Sequence, residues 1–377
     1  MTIKVCHLTS VHPPFDIRIF YKECISLAKN GYEVSLIAPI ESEVIKENIE
    51  IIPIHLPKSR LKRMLQVSFK MFRLAMKQKA KVYHFHDPEL MLCGAMLKFS
   101  GKKVIYDIHE NNRLTILDKE YLNKFSRKLL AASYYLIEKF FNLFYDQLVL
   151  ALSEETYEKY YSKRNSTVVL NFPLPLKLKE ISRKNDKDGC IRLIYVGVIH
   201  ETRGIFEMLK LAGEIKRKGR KVLLDLVGQV RPDSLMAEID NFKIEYDLND
   251  EIVMHGFVNA PIVSEFISKA HFGLAFLFPF VRYQEALPTK FFEYMQQGLP
   301  VIANDYPLYR KYVEDLNLGI NVDTRDLESA ALKVIELSDN KEKLQAMREK
   351  GISFTSFEFN WASQEKKLLS LYQKLTK

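Results

Sequence analysis

Short β-branched runs alternate with segments of helical period along nearly the whole chain, and this alternation limits the fold more than any other feature. In the first half the runs fall at 3–9, 33–38, 49–54, 81–86, 103–107, 146–151 and 167–170. In the second half they fall at 191–197, 222–227, 252–257, 272–278, 300–303 and 319–322. Strands separated by helices pair in parallel, with helices on both faces of the sheet. Two such sets predict an α/β protein of two Rossmann-like, doubly wound domains, each open at the carboxyl ends of its strands. The length of 377 residues fits two domains at roughly 150 residues each. The stretch 171–190 is rich in proline and charge and has no period, so it reads as the linker. The expected domains are 1–175 and 190–356. The tail 357–377 reads as an amphipathic helix with Trp361, Leu368, Leu369, Leu371, Tyr372 and Leu375 apolar.

The formal net charge is +9, and all of it lies in the first half. Residues 1–180 hold 28 basic and 19 acidic side chains, and the rest of the chain balances. That asymmetry suits an anionic partner for the first domain. Cys6, Cys24, Cys93 and Cys190 form no CxxC, which suits a reduced, cytosolic protein. The opening residues read as a strand rather than a signal peptide, and no apolar run reaches the ~18 residues of a spanning helix.

Residues 283–305 read YQEALPTKFFEYMQQGLPVIAND. A helix is expected to begin near Pro288-Thr289, with Gly298 as a left-handed stop before the next strand. Lys290 and Glu293, three apart, share one helix face, and Glu285 lies in the loop before it. The free N–H groups of such a helix start form an anion site suited to a diphosphate. A carboxylate one turn inside can accept hydrogen bonds from a pair of ribose-like hydroxyls. A solvated surface helix carries the same residues, but Phe278, Pro279, Phe280 and Leu287 are poor company for a charge with no task. A second strand end runs into a helix near Arg203-Gly204, where Arg203 is placed for phosphate oxygens or for solvent.

The 283–305 segment resembles the signature of the family-4 glycosyltransferases, retaining enzymes of two-domain GT-B architecture with the active site in the cleft. That signature is two Glu separated by seven residues, then a short helix, then GxPVI. Glu285 and Glu293 have this separation, and Gly298-Leu299-Pro300-Val301-Ile302 follows in register. Thr289 stands where a related subgroup has Asn. The resemblance implies that Glu285 faces the donor sugar and Glu293 binds the ribose hydroxyls, with Leu287, Thr289 and Lys290 also at the donor. Residues 195–209 resemble the family's VGRLxxxKG, with Arg203 at the Lys, Gly204 at the Gly, and Val198 where Arg is frequent. Lys290 is therefore inferred to carry more of the diphosphate charge. LVGQV (226–230) and HGFVN (255–259) resemble the loops beside the nucleotide base, and the tail resembles a closing helix that crosses back to the first domain.

In the first half, YHFHD (83–87) and YDIHE (106–110) each end a strand. His84 and His86 share a face, as do Asp107 and His109. The pattern leaves open a metal site, hydrogen-bonded core histidines, and a sugar contact among His86, Asp87, His109 and Glu110. The family resemblance places His109 against the donor sugar. The loop 9–23 has Pro13-Pro14 where the family often has Gly-Gly, and Arg18 is left between a phosphate and Asp16. Arg18, His86 and Asp87 are thus possible acceptor or phosphate contacts.

Residues 58–81 contain nine Lys or Arg and no acid, with Leu61, Leu65, Phe69, Phe72 and Met76 at helical spacing. This is a packed crossover helix, a helix drawn to anionic lipid, or both. Residues 113–146 offer a second such surface through Lys124, Arg127, Lys128, Tyr134, Tyr135, Phe140 and Phe141.

The expected activity is a retaining, metal-independent hexosyltransferase without cofactor. It would move a sugar from a nucleotide-sugar, UDP-linked by resemblance, to a glycan or lipid-linked acceptor. The expected setting is capsule or lipopolysaccharide assembly, peripheral on the inner face of the plasma membrane. The alternatives are a nucleotide-sugar 2-epimerase on the same fold and a basic nucleic-acid-binding protein. The latter lacks any recognisable binding motif, so no nucleic acid is expected.

Overall fold

The computed structural model describes residues 2–56, 60–161, 165–176, 189–278 and 280–377; the side chains of 60–65 and 260 lie outside that description. Lys58, Pro279 and linker residues 177–188 likewise lie outside it. The chain divides into two compact units, Met1–Leu174 with Trp361–Lys377, and Pro175–Asn360.

The first unit is built on β1 (Lys4–Leu8), β2 (Glu33–Ala38), β3 (Val44–Lys46), β4 (Ile49–Pro53), β5 (Val82–Phe85), β6 (Lys103–Ile108), β7 (Gln147–Leu150) and β8 (Ser166–Val168). Their order is β3-β4-β2-β1-β5-β6-β7-β8, and every pairing is parallel except β3 with β4. The edge strand β3 was not expected from the sequence. It folds back through Glu47 and Asn48, both at positive φ, the geometry of a two-residue hairpin turn.

Period-two alternation sorts the strand side chains onto two faces. Cys6, Leu8, Tyr83, Phe85, Tyr106 and Ile108 form one core with Val67, Met71 and Ala75 of the Arg60–Lys77 helix. That helix turns its apolar face differently from expectation. Ser68 is buried beside Val67, while Phe69 is 55% exposed. On the opposite face Val5, Val82, Ile105 and Val149 meet Ile19, Phe20 and Leu27, and also Trp361, Leu368 and Tyr372 of the closing helix Trp361–Thr376. The helix at Ile17–Cys24 opens with wide, π-type turns before continuing as Ile25–Lys29.

The second unit carries β9 (Ile191–Val196), β10 (Val222–Val227), β11 (Ile252–Gly256), β12 (Phe272–Ala275), β13 (Val301–Asn304) and β14 (Gly319–Val322). All are parallel, in the order β11-β10-β9-β12-β13-β14. The strand order reverses direction between β9 and β12. Loops leaving these two strands part to opposite faces there, which opens the crevice where open α/β sheets bind ligands. Among the described residues no helix is long and apolar enough to cross a membrane.

Candidate active site

In the second unit the residues singled out from the sequence fall on the two loops that flank the switch point. The chain leaves β9 through Gly197 and a short turn, Glu201–Arg203, in which the Thr202 N–H donates to His200 Nδ1 at 3.0 Å. Gly204 then adopts φ +72° and starts the helix Ile205–Arg217. A Cβ there would lie 2.5 Å from Phe276 Cβ, so the close approach of this turn to the end of β12 requires glycine.

The loop after β12 is tied to the same turn: Phe278 N–H donates to Thr202 O at 3.0 Å. The Arg203 guanidinium lies 5.5 Å from the Tyr283 ring centre, and Tyr309 Oη donates to Tyr283 O at 2.7 Å. Glu285 closes a short helical turn, Val281–Gln284, and is half-buried. Leu287 follows, then Pro288 begins the helix Thr289–Gln296, and Gly298 stops it at φ +62°.

On that helix Lys290 is half-buried, with Nζ 3.6 Å from the centre of the Tyr195 ring, while Glu293 is exposed. Burial, and then the nearby Arg203, push the Lys290 ammonium down to about 7, against an opposing pull from Glu293. Two cationic side chains, one from a turn and one from a helix start, thus share one small region and repel each other. That is the electrostatic preparation of a site that gains from an anion.

Beside this crevice, a hollow of about 810 Å³ opens at the ends of β10 and β11. It is lined by Gly228, Gln229, Val230, Arg231, Met254 and Gly256, the segments that resembled base-side loops. Gly228 shapes its floor: at φ +150° a Cβ would sit 1.8 Å from Gly197 O.

The first unit places its functional candidates very differently. Arg18 is 4% exposed and grips Asp107 with two hydrogen bonds, Nε to Oδ2 at 2.9 Å and Nη2 to Oδ1 at 3.0 Å. Its Nη1 donates to Val169 O, and Nε also lies 3.1 Å from Glu23 Oε1. The expectation that Arg18 meets a phosphate or pairs with Asp16 is therefore corrected. Its donors are spent on the core, and Asp16 instead accepts the N–H groups of Arg18 and Ile19 as a helix cap.

His86 and Asp87 are also buried and are corrected as acceptor contacts. Asp87 Oδ2 accepts from Thr9 Oγ1 and from the Ser10 N–H, fixing the end of β1 to the end of β5. His86 Nδ1 lies 3.2 Å from Asp107 Oδ2 and its Nε2 3.0 Å from His7 Nδ1. Tyr372 Oη continues the chain, 3.2 Å from His7 Nε2 and 2.9 Å from His84 Nδ1.

Two groups, His7 with Glu23, His84 and His86, and His86 with Asp107 and His109, bring potential metal-ligand atoms within 4.8 Å of one another. Several of these atoms pair with one another, while both Glu23 carboxyl oxygens and His84 Nε2 make no hydrogen bond among the described residues. Burial holds His7 and His84 well below the ordinary histidine value and lowers His86 to about 4, so these rings are neutral and each can donate from one nitrogen while accepting at the other. Glu110, expected in the same group, is exposed.

Burial alone would raise Asp107, but Arg18, His109 and His86 outweigh it and hold the carboxyl well below the usual range. An ionised carboxylate only accepts, so His109 Nε2, 2.8 Å away, carries the proton. The partly exposed His109 ring then presents Nδ1 as its other polar atom. Glu23 takes the opposite state: burial, and then Asp107, raise its carboxyl well above normal.

A family model described as "Glycosyl transferases group 1" matches residues 177–354, and one described as "Glycosyltransferase Family 4" matches residues 18–169. Between them they cover most of both units. The chain belongs to the family-4 glycosyltransferases. Its architecture is GT-B.

Sucrose-phosphate synthase from Thermosynechococcus elongatus superposes with a TM-score of 0.77 at 16% identity, over 99% of each chain. HepE from Anabaena, solved in complex with UDP, gives 0.74 at 12% identity, over 99% of this chain and 100% of that one. At such identities the likeness concerns the fold. In sequence, the chain is 25% identical over 198 residues to an α-D-kanosaminyltransferase of Streptomyces kanamyceticus. That match spans 52% of this chain and about half, 49%, of that protein.

Sequence reasoning missed several residues that shape this candidate site. Tyr195, under the Lys290 ammonium, ends a strand with no motif to mark it. Asn304, whose Oδ1 accepts the Leu277 N–H at 2.7 Å, and Tyr309 anchor the Glu285 loop from elements that follow it. Asp107 was noted only for sharing a face with His109, and its bond to Arg18 has no local signal.

Proposed function

We propose that this protein transfers a hexose from a UDP-sugar, with retention of anomeric configuration, to a glycan or lipid-linked acceptor in surface-polysaccharide assembly. The reading rests on Arg203, in the turn after β9, and Lys290, in the first turn of the helix that follows the β12 loop, on the two sides of the switch point of the second unit. Their charges and the adjacent helix N-termini stabilise a departing nucleoside diphosphate as the sugar becomes oxocarbenium-like. Glu293 accepts the ribose hydroxyls, Glu285 faces the sugar, and the base occupies the hollow beyond Gly228. The first unit takes the acceptor, with His109 as its candidate catalytic group. A donor phosphate oxygen receives the acceptor proton, so no side chain serves as a covalent nucleophile. No metal or other cofactor enters this scheme, and transfer is expected to persist in chelator.

A thermal-shift screen of UDP-, GDP-, ADP- and dTDP-sugars tests the donor, because a ligand bound only to the folded state raises apparent stability. UDP-sugars are expected to give the largest shifts. No shift with any of them would remove the reading, and epimerised free donor sugar in the products would replace it with the 2-epimerase.

Lys290 adds a pH test. Its ammonium is poised near 7, and a bound diphosphate raises that value. Binding is then expected to take up a proton above neutrality, with affinity falling by up to roughly tenfold per pH unit as pH rises past 7. Calorimetry with UDP in buffers of different ionisation enthalpy reads the uptake directly. Identical enthalpies at alkaline pH would place Lys290 away from the diphosphate.

The basic excess of the first half, and exposed Phe69 beside Lys70 and Arg73 on the Arg60–Lys77 helix, support attachment to the inner face of the plasma membrane.

A further inference from the structure

The helix Lys124–Asn142 of the first unit holds an apolar stripe out in solvent. Phe125, Leu129, Leu136, Phe140 and, at its C-terminal end, Leu143 follow at helical steps and share one face. Their exposures run from 56% to 77%, so they are displayed along the helix rather than grazed at its edges. The helix is about 28 Å long at 1.5 Å per residue, and the stripe extends further. Phe144 lies 5.2 Å from Phe140 and 5.3 Å from Phe99, itself 74% exposed at the end of the Met91–Phe99 helix. An apolar surface of this length on a folded unit marks an interaction site.

Charge on the helix is sorted as sharply as polarity. Its one acid, Glu138, is turned inward and buried, accepting from Tyr134 Oη at 2.9 Å. Lys124, Lys128 and Lys139 are exposed. The outward face is therefore apolar and cationic, with no acid of its own.

We propose that this face docks on an anionic lipid bilayer, with the helix lying in the plane of the headgroups. The stripe would enter the acyl boundary while the lysine stems reach back to lipid phosphates. The helix lies on the bilayer and does not span it: it fails the length and hydropathy of a crossing segment. A second copy of the chain fits less well. Two such helices packed about a two-fold axis would bring lysines together with no acid on either outer face to meet them. The proposal deepens the acceptor side of the proposed function and rests on that reading for its purpose, but vesicle binding needs no sugar transfer.

The test is sedimentation of the full chain with vesicles of equal parts phosphatidylcholine and phosphatidylglycerol. Binding is expected, and it weakens with added salt and on omission of phosphatidylglycerol. Leu129→Ser combined with Leu136→Ser and Phe140→Ser is expected to lower the partition coefficient by about tenfold or more. These side chains are exposed, so the thermal melt is expected to hold, as checked on the same samples. Lys124→Gln with Lys128→Gln and Lys139→Gln is expected to weaken binding at low salt and to lessen its salt dependence. Undiminished vesicle binding by the serine variant overturns the proposal, as does absence of binding by the parent. A parent dimer that the serine variant dissociates, with vesicle binding unchanged, also overturns it and gives the face to a second copy. UDP binding is measured on the same proteins. Vesicle binding without nucleotide binding would defeat the proposed activity and leave this surface standing.

Discussion

Arg18→Ala is expected to destabilise the first unit by about 3–5 kcal/mol, because it strands a buried charge rather than merely deleting a contact. Asp107 is fully buried and ionised, and Arg18 supplies two of its hydrogen bonds. Without the guanidinium, Asp107 must take up a proton or remain charged in an apolar setting, beside a Glu23 already pushed toward neutrality. Arg18→Lys is expected to recover only part of the loss, since an ammonium cannot bridge both carboxylate oxygens and reach Val169 O at once. The readout is built in. Trp361 is the single tryptophan, it is buried in the first unit, and its Nε1–H donates to Ser26 Oγ at 2.9 Å. Tryptophan fluorescence in urea therefore follows this unit alone. The sign of the pH dependence follows from Asp107. Its folded value is depressed, so its contribution is present above the unfolded carboxyl value of about 3.9 and is lost as pH falls through the folded one. In Arg18→Ala that acid-side loss is expected to shrink. An unchanged urea midpoint would show that the ion pair contributes nothing net.

The same residues show where sequence reading succeeds and where it stops. Period-two alternation was enough to put His84 with His86, and Asp107 with His109, on common faces. It carries no information about what covers that face, and the cover proves to be the closing helix, whose Tyr372 lies 288 positions from its partner His84. Arg18 and Asp107 are 89 apart, joined only by the parallel pairing of the strands between them. Phe69 was misplaced for a different reason. Apolar residues nearly encircle the Arg60–Lys77 helix, so spacing fixes the buried direction only loosely, and Ser68, whose Oγ donates to Glu89 O, turns inward where Phe69 does not. Strand β3 escaped because three residues show no period, although Asn48 at its turn was a readable signal. In the second unit the whole Glu285–Gly298 grammar was legible because it is local: loop, helix start, one helix face, glycine stop.

Locality also sharpens the largest effect expected on activity. Arg203→Ala and Lys290→Ala are each expected to lower kcat for sugar transfer by about 10²–10³-fold, the usual consequence of removing one fixed donor from a developing negative charge. Both side chains meet the same leaving group in the proposed reaction, so their losses are not expected to add, and the double variant should fall well short of the product of the single effects. The pair separates on pH. Lys290 is the group poised near 7, by burial and by Arg203. Lys290→Ala should abolish the decline of UDP affinity above neutrality. Arg203→Ala removes a repelling neighbour, raises Lys290 toward its ordinary value, and should move that decline to higher pH. Loss of the Tyr195 ring, as in Tyr195→Leu, takes away the aromatic face beneath the ammonium and should move the decline the other way. Parental turnover in Lys290→Ala, or a pH profile indifferent to Arg203→Ala, would separate the two cations and dissolve the diphosphate site on which the proposed transfer depends.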